Sequence, residues 1–190
     1  MNTIKKLFVD LETCGLDSVK NGIVEIGMII ETPRSHKEHH FFLRPFPKDV
    51  VDLKALEINR MTKEEIAKFS DPVAVYREIS TILSLYVNKY NRADKFIFIG
   101  YNAVFDYDFM RAFFNKCGDK YFGSFVHYPP LDVMQLALLK LVKTRHEMPN
   151  FKLGTVASEC GIVINEEEAH GAMYDIQKTR ELFYKLMERN

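Results

Sequence analysis

The order of the predicted secondary structure elements most constrains the fold of this chain. Strands joined by short links are expected at residues 4–12, 23–32 and about 39–44, which is typical of an antiparallel meander. Helices follow, and further strands at about 96–100 and 125–128 then alternate with helices. This order predicts an α/β protein with a five-stranded mixed sheet flanked by helices.

Local signals place the ends of the predicted helices. A helix is expected within Val51–Asn59, and Thr62 followed three residues later by Glu65 fits a capping box that starts the next one. Asp71 before Pro72 starts a third helix, whose apolar residues recur at helical spacing. Later helices are expected from about Val104, from Asp132, near Leu153–Glu159 and from Ala172.

Length, composition and charge narrow the class of protein. The 190 residues suit one domain, residues 1–190, and no apolar run is long enough to span a membrane. Three cysteines without metal-type spacing, and a start that lacks a signal-peptide core, favour a reducing, cytoplasmic setting. Lys plus Arg equals Asp plus Glu, at 26 each. This zero net charge argues against a non-specific nucleic-acid scaffold, but not against an enzyme that meets phosphate through bound metal.

Two carboxylates lie at the end of the first predicted strand. Because side chains alternate in a strand, Asp10 and Glu12 point to one face and Leu11 to the other. Alone, such a pair is more often a strand end that reaches solvent. Together with further acids it predicts a site for a hard divalent cation. Glu25 in the second strand is a possible additional ligand, although a locally paired carboxylate is the favoured interpretation.

A second acidic position follows the buried strand at about 96–100. Asp106 shares a helix face with apolar residues, whereas Asp108 lies on the opposite, solvated face. A buried acid requires a partner or a metal, so Asp106 is the functional candidate. Asn102 has the alternative role of a helix N-cap.

The last predicted helix carries a third acid on its packed face. Asp175 aligns with Thr179 and Leu182, and His170 lies five residues earlier, at the start of the helix. A histidine there is a candidate general base, although a lone histidine is more often a surface residue. The run Glu166-Glu167-Glu168 is interpreted as a solvated loop without a catalytic role. Four inward acids cannot share a pocket without cations, and two divalent ions would satisfy them.

These three motifs resemble those of the DnaQ-like 3′–5′ exonucleases of the DEDDh class. The matching segments are Asp10-Leu11-Glu12-Thr13, Asn102-Ala103-Val104-Phe105-Asp106 and His170-Gly171-Ala172-Met173-Tyr174-Asp175. Cys14 stands where many members have threonine, and Tyr101 where many have histidine. Neither departure removes an acid of the motifs. Asp132 matches a frequently acidic position and is interpreted as an N-cap or supporting group rather than a ligand.

The resemblance implies a ribonuclease H-like fold and hydrolysis that releases nucleoside 5′-monophosphates from a 3′ end. It implies that Asp10 bridges two Mg²⁺ (or Mn²⁺) ions, with Glu12 and Asp175 on the metal that activates water. Asp106 would support the second metal, and His170 would deprotonate the water. Candidate contacts to the terminal nucleotide are Thr13, Leu16, Ile58, Asn102 and Phe105. Leu16 and Ile58 have the alternative of plain core packing.

The resemblance leaves the substrate and the partners open. Single-stranded DNA is the favoured substrate, the alternatives being RNA 3′-end trimming by a ribonuclease T-like enzyme and a catalytically silent binding module. A cluster of basic residues either steers the strand or is a solvated helix face, which is the favoured interpretation. Its members are Lys140, Lys143, Arg145, His146 and Lys152. Gln135-Leu136-Ala137-Leu138-Leu139 faintly resembles a sliding-clamp-binding peptide, so association with a polymerase or clamp is considered. We expect Leu136 and Leu139 to serve the core instead, and no tail beyond the last helix to tether a polymerase. The oligomeric state is not predicted.

Overall fold

A computed structural model describes residues 4–165 and 167–188. It contains one five-stranded mixed sheet, whose strand order is β3-β2-β1-β4-β5. The strands are β1 (Lys6–Thr13), β2 (Ile23–Thr32), β3 (Ser35–Phe42), β4 (Ile97–Gly100) and β5 (Leu131–Asp132). The first three form the predicted antiparallel meander, and β1, β4 and β5 run parallel to one another.

Seven α-helices flank the sheet in the described part of the chain. They are α1 (Leu53–Ile58), α2 (Lys63–Ile66), α3 (Pro72–Tyr86), α4 (Ala103–Lys116), α5 (Val133–Lys140), α6 (Leu153–Glu159) and α7 (Ala172–Glu188). The predicted capping box at Thr62 and Glu65 is formed, and Asp71 caps α3. Within the described ranges, no helix combines the length and the apolar character needed to cross a bilayer.

The two faces of the sheet bury separate apolar clusters. Alternate residues of β1 divide between them: Leu7, Val9 and Leu11 pack in the cluster that includes residues of α3 and α4. Phe8 packs on the opposite face in a cluster that includes residues of α5, α6 and α7. Helices therefore cover both faces, and the carboxyl ends of the parallel strands β1 and β4 lie at the same edge of the sheet.

Two strands differ from their predicted positions. The third strand was expected around residues 39–44 but begins at Ser35, because β2 and β3 pair along their whole length from Thr32 and Ser35 onward. The strand predicted at 125–128 is reduced to one bridge between Phe96 and Val126, and the fifth strand lies at Leu131–Asp132. Two prolines at 129 and 130 separate these pieces, and proline has no amide to donate to a ladder.

Candidate active site

The site is built around the end of β1. Asp10 and Glu12 point to the same face of the sheet, and both are half-buried. One carboxylate oxygen from each of Asp10, Glu12 and Asp175 lies within 4.8 Å of the other two. Because Asp175 belongs to the first turn of α7, this cluster joins the first strand to the last helix.

His170 and Asp175 are held together at the beginning of α7. The backbone amide of His170 hydrogen-bonds the carboxylate of Asp175, and the side chain of His170 is exposed. His170 has a φ of 70°, in the left-handed region that favours glycine. His170 precedes α7, and its imidazole lies close enough to Asp175 to lower the pKa of that carboxyl. Glu167 and Glu168 are exposed, whereas Glu166 lies outside the described residues.

Asp106 lies in the first turn of α4 and is 3% exposed. Its carboxylate accepts a hydrogen bond from the backbone amide of Leu11, which joins it to the acidic end of β1. It is not among the three carboxylates that converge within 4.8 Å. Asp108 faces outward and pairs with Arg111 at 3.2 Å. The predicted distinction between the two aspartates therefore agrees with their positions.

The segment before α4 is positioned by Asp132. One oxygen of the Asp132 carboxylate accepts from the amide of Met134, as an N-cap of α5, and from the amide of Asn102, both at 2.9 Å. Asn102 occupies the N-cap position of α4 with a φ of 63° but makes no side-chain cap bond. The N-cap alternative is therefore wrong for the Asn102 side chain, which is exposed, and Asp132 is a supporting group as predicted.

The four acids strongly perturb one another. Burial, together with the charges of Glu25, Asp175 and Asp106, raises the pKa of Glu12 to about 8. Burial, followed by the charge of Asp106, holds the pKa of Asp10 well above its ordinary value. Burial raises the pKa of Asp106, although two backbone amides partly offset this effect. The pKa of Asp175 is raised by burial and lowered by nearby His170. Ionising all four carboxylates is therefore unfavourable unless a cation compensates their charge.

These residues fit a hard divalent cation. Within the described residues, the converging ligand atoms are all carboxylate oxygens, the donors that Mg²⁺, Mn²⁺ and Ca²⁺ prefer. A cation between them would also remove the repulsion that raises their pKa values. The geometry therefore supports a divalent metal centre at Asp10, Glu12 and Asp175.

The candidate nucleotide-contacting residues come from several segments of the chain. Leu16 is 87% exposed and Ile58 is 61% exposed, so neither packs in the core. Thr13 is buried and its hydroxyl donates to the carbonyl of Gly15 at 2.7 Å. Asn59 donates its side-chain amide to the carbonyl of Thr13 at 3.0 Å, which fixes the neighbouring Ile58 relative to the first motif. Phe105 is half-buried against the core. Contact of these residues with a nucleotide stays a prediction.

A cleft of about 370 Å³ is lined by His170 and Asp175 and also by Lys152 and Thr155. Lys152 belongs to the predicted basic cluster, and so does Arg145. Arg145 stacks over Phe151 at 5.0 Å and donates to a backbone carbonyl. Of the two, only Lys152 lines this cleft.

Two segments correct or extend the sequence interpretation. Leu139 of the clamp-like segment is 72% exposed rather than packed in the core, whereas Leu136 is partly buried. Glu25 is locally paired as favoured, with Nε2 of His40 at 2.8 Å and the amide of Ala172 at 2.9 Å. Its bond to the last helix was not predicted, because the two residues are 147 positions apart.

A sequence model of the exonuclease family named for ribonuclease T matches residues 7–183, nearly the whole chain. The chain belongs to the exonuclease family. Among its relatives is ribonuclease T of Buchnera aphidicola subsp. Baizongia pistaciae, which is 28% identical over 99% of this chain and 89% of its own length. A PolC-type DNA polymerase III of Mycoplasmopsis pulmonis is 25% identical, and its matching segment is 11% of that protein.

Solved exonucleases share the fold. E. coli exonuclease I in complex with a dT13 oligonucleotide superposes with a TM-score of 0.76 at 21% identity over 98% of this chain. The chain spans 41% of exonuclease I. The predicted ribonuclease H-like fold, membership in the DnaQ-like family and 3′–5′ exonuclease class are therefore confirmed.

Proposed function

We propose that this chain, as a single exonuclease domain, removes nucleoside 5′-monophosphates from the 3′ end of single-stranded nucleic acid, with DNA the favoured substrate. The observation that carries the proposal is the convergence of Asp10, Glu12 and Asp175 within 4.8 Å. A structural role explains three partly buried, mutually repelling carboxylates poorly, because each raises the cost of ionising the others.

We assign the acids to two divalent cations, Mg²⁺ or Mn²⁺. Asp10 would bridge the pair, Glu12 and Asp175 would complete the first ion, and Asp106 would support the second. When bound, such ions stabilise the attacking and leaving oxygens of a phosphodiester during in-line displacement. The chain's contribution is to hold the four carboxylates on three rigid elements, β1, α4 and α7.

His170 is assigned as the general base. Its exposed imidazole lies at the start of α7, next to the acid that its own backbone amide contacts. Imidazole can accept a proton near neutral pH, as deprotonation of an attacking water requires. The left-handed turn at His170 presents the ring to the cleft rather than to the core.

The substrate's terminal nucleotide would lie among Thr13, Leu16, Ile58, Asn102 and Phe105. Leu16 and Ile58 provide exposed apolar surface on which a base can stack. Lys152, which lines the same cleft as His170, would meet a backbone phosphate of the same strand.

RNA is the second candidate substrate. Similarity to ribonuclease T over nearly the full length of both chains supports a ribonuclease T-like trimming activity. Association with a polymerase or clamp is a further proposal, supported by the PolC-type relative and by the exposed Leu139 in the clamp-like segment. A pull-down with purified polymerase and clamp tests it, and Leu139→Asp should abolish any clamp binding through that segment.

The test uses 5′-labelled single-stranded DNA and RNA oligonucleotides with Mg²⁺. We expect stepwise shortening from the 3′ end, abolished by chelator and by the Asp10→Ala/Asp175→Ala variant. Asp106→Ala should lose activity, whereas Asp108→Ala, two residues along the same helix, should keep it. The faster substrate decides between DNA and RNA. If neither strand shortens with Mg²⁺ or Mn²⁺, the proposal fails for free oligonucleotides.

A further inference from the structure

Glu25 connects the second strand to the start of the last helix. Its carboxylate is 4% exposed, and one oxygen accepts from the amide of Ala172 at 2.9 Å and lies 2.8 Å from Nε2 of His40. A carboxylate oxygen accepts only, so the imidazole donates through Nε2. Ala172 is the first residue of α7, where backbone amides lack partners within the helix.

The strand face that carries Glu25 is also the face that carries the metal acids. In the pairing of β1 with β2, Glu12 lies opposite Glu25 and Asp10 lies opposite Gly27. A Cβ added to Gly27 would approach the carbonyl of Ala172 to 2.3 Å. The start of α7 therefore rests directly on β2, next to the acids, and Glu25 fixes it there.

The segment that Glu25 fixes contains the left-handed turn at His170. A non-glycine residue keeps such a conformation only when its surroundings determine it. The bond from Glu25 to Ala172 is two residues from His170 and three from Asp175, within the same turn of chain. Loss of this bond would release both side chains together.

We infer that Glu25 is a positioning residue, which places His170 and Asp175 against Asp10 and Glu12 by holding the amide of Ala172. The inference rests on the proposed function, since it concerns the geometry of that same site. Glu25 acts through the backbone of α7 and requires no contact with substrate. His40 in turn orients the Glu25 carboxylate.

A second carboxylate on β2 provides a matched control. Glu31 lies on the same strand face and accepts from Arg180 in the middle of α7 at 2.8 Å, away from the acids. Glu31→Ala should therefore lower the stability of the protein without changing kcat. Glu25→Ala should lower kcat by about 10–100-fold with little change in KM, a range typical of lost supporting bonds around metal sites.

The Glu25→Gln variant tests whether the role of Glu25 depends on its hydrogen bonds or on its negative charge. In Glu25→Gln the amide oxygen can still accept from both Ala172 and Nε2 of His40, the two bonds that one carboxylate oxygen makes in the wild type. We expect this variant to recover most of the wild-type kcat. A Glu25→Gln enzyme as slow as Glu25→Ala would overturn the inference, and so would a Glu31→Ala enzyme with an equal loss of kcat.

Amide hydrogen exchange tests the hydrogen bond between the Ala172 amide and Glu25 without an activity assay. In the metal-free wild-type protein the amide of Ala172 should be protected although it begins a helix, and Glu25→Ala should remove that protection. Rapid exchange at Ala172 in the wild type would overturn the inference even if Glu25→Ala failed to fold. If the wild type cleaved neither DNA nor RNA, the proposed function would fail, while the exchange measurement would still decide whether Glu25 holds the helix.

Discussion

Replacement of Glu12 by glutamine should abolish activity and at the same time stabilise the metal-free protein. Burial, and then the charge of Glu25, raises the pKa of Glu12 to about 8 from an ordinary value of 4.5. The folded state therefore holds this proton more tightly than the unfolded state. The resulting stability is fully present below pH 4.5 and is lost as the pH rises through about 8.

The magnitude follows from the two pKa values. Relative to pH values below 4.5, the raised pKa of Glu12 costs the fold about 4 kcal/mol of stability near pH 7.5 and about 1 kcal/mol near pH 5.5, because the unfolded state ionises first. Glutamine does not ionise, so Glu12→Gln should raise the melting temperature by on the order of 10 °C near pH 7.5, and by much less near pH 5.5.

Thermal unfolding in the presence of chelator, followed by circular dichroism at both pH values, measures this effect. Glu159→Gln, a change of the same type at an exposed position, should leave the melting temperature almost unchanged. Added Mg²⁺ should stabilise the wild type more than Glu12→Gln, because the variant has lost a ligand. A metal-free Glu12→Gln protein no more stable than the wild type near pH 7.5 would refute the electrostatic argument.

Three further variants test other parts of the site. His170→Ala should lower kcat by roughly 10²–10⁴-fold while calorimetry shows unchanged Mn²⁺ binding; an unchanged rate would remove the general-base assignment. Lys152→Ala should weaken oligonucleotide binding and reduce the slope of log Kd against log salt by about 0.7, whereas the exposed Lys143→Ala should not. Gly27→Ala should cost about 1–3 kcal/mol of stability and lower activity, because its Cβ would lie 2.3 Å from a carbonyl of α7. Gly123→Ala, where the nearest atom is 4.0 Å from the added Cβ, is the control. Equal denaturant midpoints for the Gly27→Ala and Gly123→Ala variants would contradict the predicted clash.

Periodicity and capping predicted those elements whose local sequence agrees with their tertiary role. The second strand, Ile23–Thr32, and the sixth helix, Leu153–Glu159, have the predicted bounds. The third strand was misplaced because most of its residues are polar and exposed at the edge of the sheet, as is common for edge strands. Its start depends on pairing with β2, which hydrophobic patterning does not report. Leu139 was misplaced because the short helix α5 buries only Val133 and Ala137 fully.

The structure brings Asp10, Glu12 and Asp175 together, as the sequence predicts. Acids at strand ends and on packed helix faces are recognisable because they conflict with the ordinary preference of carboxylates for solvent. The part that Asp106 plays at the site stays a prediction. The bond from Glu25 to α7 depends on contact between residues distant in sequence, and no local pattern reports such contact. The cleft beside Lys152 likewise exists only once α6 lies against the His170 segment.

The separation of the metal acids along the chain has a consequence for synthesis. Asp10 and Asp175 are 165 positions apart, and their carboxylates meet only when α7 docks on the sheet. At the usual rate of translation, on the order of ten seconds or more pass between the two residues. Throughout that time the nascent chain lacks Asp175, and for nearly all of it the chain also lacks His170. Under the proposed function, a ribosome making this chain therefore carries an incomplete site until the last helix has been made, and the nearby messenger RNA meets only that incomplete site.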